Sequence, residues 1–544
     1  MSTITGAEMV VRTLEELGVQ TIFGIPGVHN LDIYENLLDS SIEHVTARHE
    51  EGAGFMADGL ARQTGKPGVC LVITGPGLTN VSTAVAQAYS DSIPMLVISS
   101  QVPESWRGKN RGYLHELENS THFASSFVKE SRRVPRKEFI ELYVKEAYQL
   151  ANTGRKGPVH LEFPLDILKA TLSEKHMGRV TFHIEEEAWT LCDQKEKLEK
   201  AAKTLHAEKN KVIIAGRGAA GMGETLVDLA EKMSAPILTT VAGKGVVPED
   251  HPLCLGARIP LPPAQKLLRE AGAILAVGTK LSHIDFRKDL DFIHKLIYVD
   301  IDQGNMLEGM DPELFIQGDA EMAGKELITQ WQYFKTGTEK MDSEALNRWC
   351  QDFKIECQEM LEAFTGFEKE ELKLSLDLID AIREALPRDG LLISDMATPG
   401  YLAVRQYPAY QPNTFIFPVT FGTLGYALPS AIGAVNANSK KDIVVLTGDG
   451  GMQFTMQELG VIAQLKLPIT VLLWNNHGYG EIKRKQEARH PGQTIAVQQD
   501  CPDFAQIAAA YDFTYEKIFQ GEDIGQKIKS SIAHDGPVMI EIIP

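Results

Sequence analysis

Asp442-Ile443-Val444-Val445-Leu446-Thr447 runs as a strand into Gly448-Asp449-Gly450-Gly451, and Ile469-Thr470-Val471-Leu472-Leu473-Trp474 runs into Asn475-Asn476-His477-Gly478. Each is a short, continuous apolar run closed by turn residues, the pattern of a buried strand. The first end offers a carboxylate among residues small enough for backbone N–H groups to approach an anion. The second offers amide oxygens 27 positions on (476 − 449). Either motif alone is also an ordinary turn. Together, at matched strand ends, they describe a clamp for a metal and a diphosphate.

The residue types suit that chemistry. A diphosphate is held through a hard cation such as Mg²⁺, which takes about six oxygen ligands in octahedral geometry. Asp449 supplies the charge, Asn476 a neutral side-chain oxygen and Gly478 its carbonyl, leaving room for phosphate oxygens and water. Gly450 and Gly451 open a helical stretch expected over Met452–Leu465, whose free amides and dipole face the anion.

Two windows of the chain mirror one another. Val69–Ile73, Thr74-Gly75-Pro76-Gly77, a helix, Ile93-Pro94 and Met95–Ile98 match Ile443–Leu446, Thr447-Gly448-Asp449-Gly450, a helix, Leu467-Pro468 and Ile469–Leu473. The glycine-to-proline distance is 19 residues in one (94 − 75) and 20 in the other (468 − 448). The two ends of the chain are therefore read as variants of one unit. Between them, Val212–Ala215 leads into Gly216-Arg217-Gly218-Ala219-Ala220-Gly221, a GxGxxG match in the right context for a dinucleotide site but, as a lone match, read first as a structural turn.

Asp449 to Asn476 resembles the signature of thiamine diphosphate enzymes, and the N-terminal half carries four further matching blocks. These are Arg48-His49-Glu50-Glu51-Gly52-Ala53, Ala57-Asp58-Gly59, Gly65-Lys66-Pro67-Gly68-Val69 and Thr74-Gly75-Pro76-Gly77-Leu78-Thr79-Asn80. From end to end the chain is similar to the acetolactate synthase, pyruvate oxidase and benzoylformate decarboxylase family. The resemblance implies three doubly wound α/β domains with parallel sheets: pyrimidine-binding (1–175), middle (188–335) and diphosphate-binding (366–544). The acidic Glu185-Glu186-Glu187 and the polar Lys335–Ser343, which leads into a helical segment ending near Phe364, suit such divisions. It also implies a homodimer with each cofactor across the interface, a homotetramer if dimers pair, and an inactive monomer.

Further roles follow from the resemblance. Glu50 would hydrogen-bond the pyrimidine of thiamine diphosphate, where desolvation suits a carboxyl group to share a proton; on its own it reads as a solvated helix residue, and the surrounding blocks reverse that reading. In Phe421-Gly422-Thr423-Leu424-Gly425, Leu424 matches the apolar residue that bends the cofactor and Gly422 the carbonyl that accepts its amine, the alternative for Leu424 being core. Where synthases carry a glutamine, Gly112-Tyr113-Leu114-His115-Glu116 places His115, which can donate the proton that releases an aldehyde. His29, after Gly24-Ile25-Pro26-Gly27, is a second candidate. Both would serve the substrate, unless His115 is simply a buried, hydrogen-bonded histidine.

Glu481, in His477-Gly478-Tyr479-Gly480-Glu481-Ile482, stands where synthases place apolar residues. It would bind a cationic substrate tail such as a guanidinium, unless it is a surface residue. With Val277–Phe286, these segments resemble the 5-guanidino-2-oxopentanoate (2-ketoarginine) decarboxylase subgroup. The expected activity is a non-oxidative 2-oxo acid decarboxylase, a carboxy-lyase forming 4-guanidinobutanal; the alternative is an acetolactate synthase-like carboligase, a transferase. FAD is not expected, because Lys280–Lys288 replaces the flavin-associated segment of the synthases.

Length and charge bound the rest. At 544 residues the chain exceeds a single core, and 43% hydrophobic with 23% charged residues is a globular composition. A net charge of −19 (54 − 73) opposes binding to nucleic acid or an acidic membrane. Six cysteines, at 70, 192, 254, 350, 357 and 501, form no CxxC pair, and Met1-Ser2-Thr3-Ile4-Thr5-Gly6 lacks a signal-peptide pattern. A cytoplasmic protein without disulfides or membrane spans is expected. A catalytically dead relative is disfavoured by the presence of Glu50, Asp449 and Asn476, and a nicotinamide dehydrogenase leaves both terminal motifs unexplained.

Overall fold

The computed structural model describes residues 3–173, 194–286, 291–333, 342–437, 440–519 and 521–544. The expected divisions at 175, 188 and 335, the Glu185–Glu187 run, Cys192, Arg287 and Lys288 lie outside these residues.

Three six-stranded sheets, each parallel throughout, form the body of the molecule. Gly68–Val72, Met95–Gln101, Lys211–Ala215 and Ile469–Trp474 are buried at every position, as largely apolar strands covered by helices on both faces must be. Counted along the chain, the strands of the first sheet stand in the order 2-1-3-4-6-5, and those of the last sheet in the same order. The mirrored windows are thus equivalent strands of two copies of one topology. The middle sheet has the order 3-2-1-4-5-6 of a doubly wound nucleotide-type fold.

The first and last units are joined by two helices, Glu50–Thr64 and Ala427–Ala437. Their small residues let backbone meet backbone: a Cβ on Gly433 would stand 1.8 Å from the Met56 carbonyl oxygen, and one on Gly59 2.0 Å from that of Ser430. Around this crossing Phe55, Met56, Tyr426, Ile432 and Val445 share one apolar core. A buried polar anchor completes it. Arg62 pairs with Asp58 at 2.6 Å and Asp91 at 2.8 Å, while the Tyr426 hydroxyl donates to Asp58. Leaving any member alone would strand a charge in the core.

The helical stretch expected over Met452–Leu465 starts earlier and is interrupted: Asp449–Thr455 is α-helical, Met456–Glu458 tightens to 3-10, and Leu459–Leu465 resumes. Glu458 sits in the tight turn and is turned inward, fully buried. The described cysteines are free thiols. No helix among the described residues is long and apolar enough to cross a membrane.

Candidate active site

Ile443–Gly448 and Ile469–Trp474 are adjacent parallel strands in register, Gly448 opposite Trp474, so the two quoted strand ends lie side by side. Asp449, 1% exposed, accepts a hydrogen bond from the Gly478 N–H at 2.7 Å. With its amide nitrogen turned towards them, Asn476 donates to Asp449 Oδ1 and to the Gly478 carbonyl, both at 3.1 Å. Asp449, Asn476 and Gly478 therefore converge on one point. Adjacent ligands of an octahedral Mg²⁺ with bonds near 2.1 Å stand about 3 Å apart, which matches these separations. Rotating the Asn476 amide would present its oxygen to the same point, so the donor set of one carboxylate and two neutral oxygens fits a hard cation.

Gly450 and Gly451 occupy the first turn of the helix, where N–H groups lack intrahelical partners. Space forces glycine there, since a Cβ on Gly451 would meet Asp395 Oδ2 at 2.8 Å and one on Gly450 the Tyr479 ring at 3.0 Å. A cavity of about 240 Å³ opens beside them. Gly422, Leu424, Asp449, Asn476, Gly478 and Glu481 all line it. Leu424 is half-buried rather than part of the core.

Asp395, at the end of the buried strand Leu391–Ser394, accepts from the Gly425 and Met396 N–H groups, each at 2.9 Å, and from the Thr447 hydroxyl at 3.3 Å. Burial pushes its carboxyl up to about 6. It ties the Gly422–Gly425 turn to the diphosphate strand. Cys501 donates its thiol to Asp449 Oδ2 at 3.1 Å. Sequence motifs place neither residue at the site; an acid directly after the buried strand Leu391–Ser394 is the available signal for Asp395.

Glu50 is the first residue of its helix, and its Oε2 accepts from the Asn80 side-chain amide at 2.9 Å. Glu458 Oε1 accepts from the His49 N–H at 3.0 Å, and both Glu458 oxygens from the Arg48 N–H at 3.1 Å. Burial pushes Glu458 up to about 7. Asn80 lies on the helix Pro76–Asp91, just beyond Gly75, against which the His115 carbonyl packs: a Cβ there would stand 2.5 Å from it. The His115 ring meets that of His29 edge-on at 5.2 Å. His29 is 4% exposed with Nδ1 lacking a partner, and burial, then His115 and Lys169, push its pKa down. Glu50, His29 and His115 thus share one edge of the N-terminal unit. None of them lines the cavity beside Asp449, whose wall runs from Met396 to Ile482.

Glu481 is neither free nor fully on the surface. Its carboxylate bonds Arg484 at 2.6 Å and Lys485 at 3.3 Å, and the Arg484 guanidinium lies 3.9 Å over the Phe367 ring. In the glycine-rich turn, a Cβ on Gly216 would stand 2.2 Å from the Gly278 carbonyl oxygen and one on Gly218 2.8 Å from Gly278 Cα. Those two glycines serve close packing of strand ends, although the turn borders a cavity of about 1350 Å³ between the units.

The chain belongs to the thiamine pyrophosphate enzyme family. Residues 4–123 match the N-terminal TPP binding domain, 198–327 the central domain and 395–542 the C-terminal TPP binding domain. It is 36% identical over 542 residues to the probable 2-ketoarginine decarboxylase AruI of Pseudomonas aeruginosa, covering 99% of this chain and 94% of the relative. It is 31% identical over 540 residues to the acetolactate synthase isozyme 3 large subunit of Escherichia coli, covering 98% and 93%. It is 29% identical over 551 residues to the probable acetolactate synthase large subunit of Methanococcus aeolicus, covering 99% and 92%.

Proposed function

We propose that the protein is a thiamine diphosphate- and Mg²⁺-dependent carboxy-lyase that converts 5-guanidino-2-oxopentanoate to 4-guanidinobutanal and CO₂. The convergence of Asp449, Asn476 and the Gly478 carbonyl beside the Gly422–Leu424 cavity carries the cofactor part of this reading, and the 36% identity to a probable 2-ketoarginine decarboxylase supports the substrate. When bound, thiamine diphosphate supplies the carbon nucleophile and electron sink on which decarboxylation depends. The protein must hold its charged end, bend it and manage protons. Asp449, Asn476 and Gly478 would hold the cation, Gly450 and Gly451 the phosphates, Leu424 the bend and Gly422 the pyrimidine amine.

Glu50, fixed by Asn80, would share a proton with the pyrimidine. The carbon that loses CO₂ keeps the bonding electron pair and must gain one proton to leave as an aldehyde. His115 or its neighbour His29 would deliver it, burial pushing the pKa of His29 below that of an ordinary imidazole. The reaction is redox-neutral and asks for no flavin. Glu481 would meet the guanidinium, a role supported by its place in the cavity wall and by the guanidinium of Arg484 that it already binds.

Because Glu50 stands outside the cavity of its own chain, the complete site is proposed to form between two copies, in a cytoplasmic homodimer. Exposed Val28, Leu114, Phe421 and Phe454 on the same elements are apolar surface that a second copy would cover. The synthase-like carboligase remains the second reading, supported by the relatives of that name. A panel of 2-oxo acids tests the assignment: CO₂ and 4-guanidinobutanal in equal amounts are expected, and preference for pyruvate with acetolactate as product would overturn it.

A further inference from the structure

We infer that Glu541, acting through Asn475, is a positioning residue that sets the shape of the metal-holding turn. The inference rests on the clamp reading of Asp449, Asn476 and Gly478 and deepens it.

Asn475 follows directly on the strand Ile469–Trp474 and is 3% exposed. Its backbone N–H donates to the Ile542 carbonyl at 2.9 Å, carrying the parallel ladder one residue past the strand. Its side-chain Nδ2 donates to Glu541 Oε1 at 2.6 Å. With the nitrogen fixed there, Oδ1 faces the other way and accepts the His477 N–H at 3.2 Å. An Asn oxygen taking the N–H two residues on is an Asx-turn. The chain then passes through two left-handed residues, His477 at φ 57° and Gly478 at φ 146°. A non-glycine residue held there costs on the order of 1 kcal/mol, so the turn needs an external determinant.

Glu541 provides one. It lies on the strand Val538–Ile543, is 3% exposed, and bonds Asn475, Tyr515 and Lys517 rather than any of the three clamp residues. The Tyr515 hydroxyl donates to Oε2, and Lys517 Nζ stands 3.4 Å from it. Both come from the neighbouring strand, where Lys517 is the direct register partner of Glu541. The carboxylate is therefore fixed before it meets Asn475. Reversing the Asn475 amide would set nitrogen against the His477 N–H and oxygen against a carboxylate, two mismatched pairs in a buried place.

The test is Mn²⁺ uptake at fixed thiamine diphosphate, read from the EPR signal of free Mn²⁺, alongside thermal melting without cofactor. Asn475→Asp sets two carboxylates face to face. Long-range electrostatics alone would tighten cation binding, because a negative charge is added near the site. Loss of the turn geometry would weaken it instead, by about ten- to a hundredfold. The double variant N475D/E541Q restores a donor opposite the new carboxylate at the original net charge. It is expected to recover affinity to within about threefold of wild type, as the reversed hydrogen bond re-forms. Asn475→Ala, which lacks the turn acceptor, should weaken binding as well and serves if Asn475→Asp does not fold.

Tight binding by Asn475→Asp or by Asn475→Ala, or no recovery in the double variant, overturns the inference. Failure of the wild type itself to take up Mn²⁺ would instead remove the clamp reading.

Discussion

The side-chain amide of Asn80 donates to Glu50 Oε2 at 2.9 Å, joining the first turn of one helix to the first turns of another. Two of the matching sequence blocks thus meet at the residue expected to share a proton with the cofactor. A hydrogen bond to a charged group is worth about 1.5–3 kcal/mol. Asn80→Ala is therefore expected to lower kcat/KM by about ten- to a hundredfold while the melting temperature stays near wild type. Glu50→Gln should keep fold and cofactor binding and lose most of the activity. Steady-state kinetics beside cofactor titration check both, and wild-type turnover by Glu50→Gln would remove that residue from the mechanism.

Glu458 gives the fold a pH dependence. Burial raises its carboxyl from 4.5 to about 7, so the native chain keeps a proton that the unfolded chain releases. Its contribution is fully present below about pH 4.5 and is lost as pH rises through about 7. Melting curves of the cofactor-free protein should show this decline, and Glu458→Gln should flatten it. An unchanged slope in that variant would assign the pH dependence to other groups.

Glu481 is shared between its own helix and the cavity. Glu481→Gln is expected to raise KM for 5-guanidino-2-oxopentanoate by about ten- to a hundredfold, the worth of one charge-assisted bond. An uncharged 2-oxo acid of similar length should be nearly unaffected. Arg484→Ala removes the guanidinium that now occupies the carboxylate and should lower KM for the guanidino acid. Equal effects on both substrates would show that Glu481 acts on the fold and not on the tail.

His115 packs its backbone on Gly75 and its ring on His29. His115→Gln keeps a polar side chain but removes a proton donor. Aldehyde formation should fall at least about a hundredfold, the usual lower range for losing a general acid, and carboligation products should rise as a share of the total. Product analysis by mass spectrometry separates the two.

Much of this arrangement is legible in the chain because it is local. The apolar runs ending at Gly448 and Trp474 fix two strands, and their common register brings Asp449 to Asn476 without further information. The mirrored windows likewise become two sheets with one strand order. The illegible parts are contacts that the fold brings from far along the chain. Glu458 accepts the backbone N–H of His49, 409 residues earlier (458 − 49), just before the helix Glu50–Thr64, and Glu541 reaches Asn475 across 66 (541 − 475). His29 and His115 were each visible as candidates, but their ring contact depends on a left-handed turn at His115, φ 61°, that no glycine announces. Glu481 was visible too; its capture by Arg484 follows from helical spacing only once the helix Gly480–Arg489 is known.

The most direct test of a site built from two copies is subunit mixing between Glu50→Gln and Asp449→Asn, each expected to be inactive alone. In a mixed dimer one site combines both substitutions and the other is intact. Random exchange makes about half of the dimers mixed, so about a quarter of wild-type activity should return. Recovery at that level is the predicted result, and activity that stays at the sum of the two inactive parents would contradict the shared site.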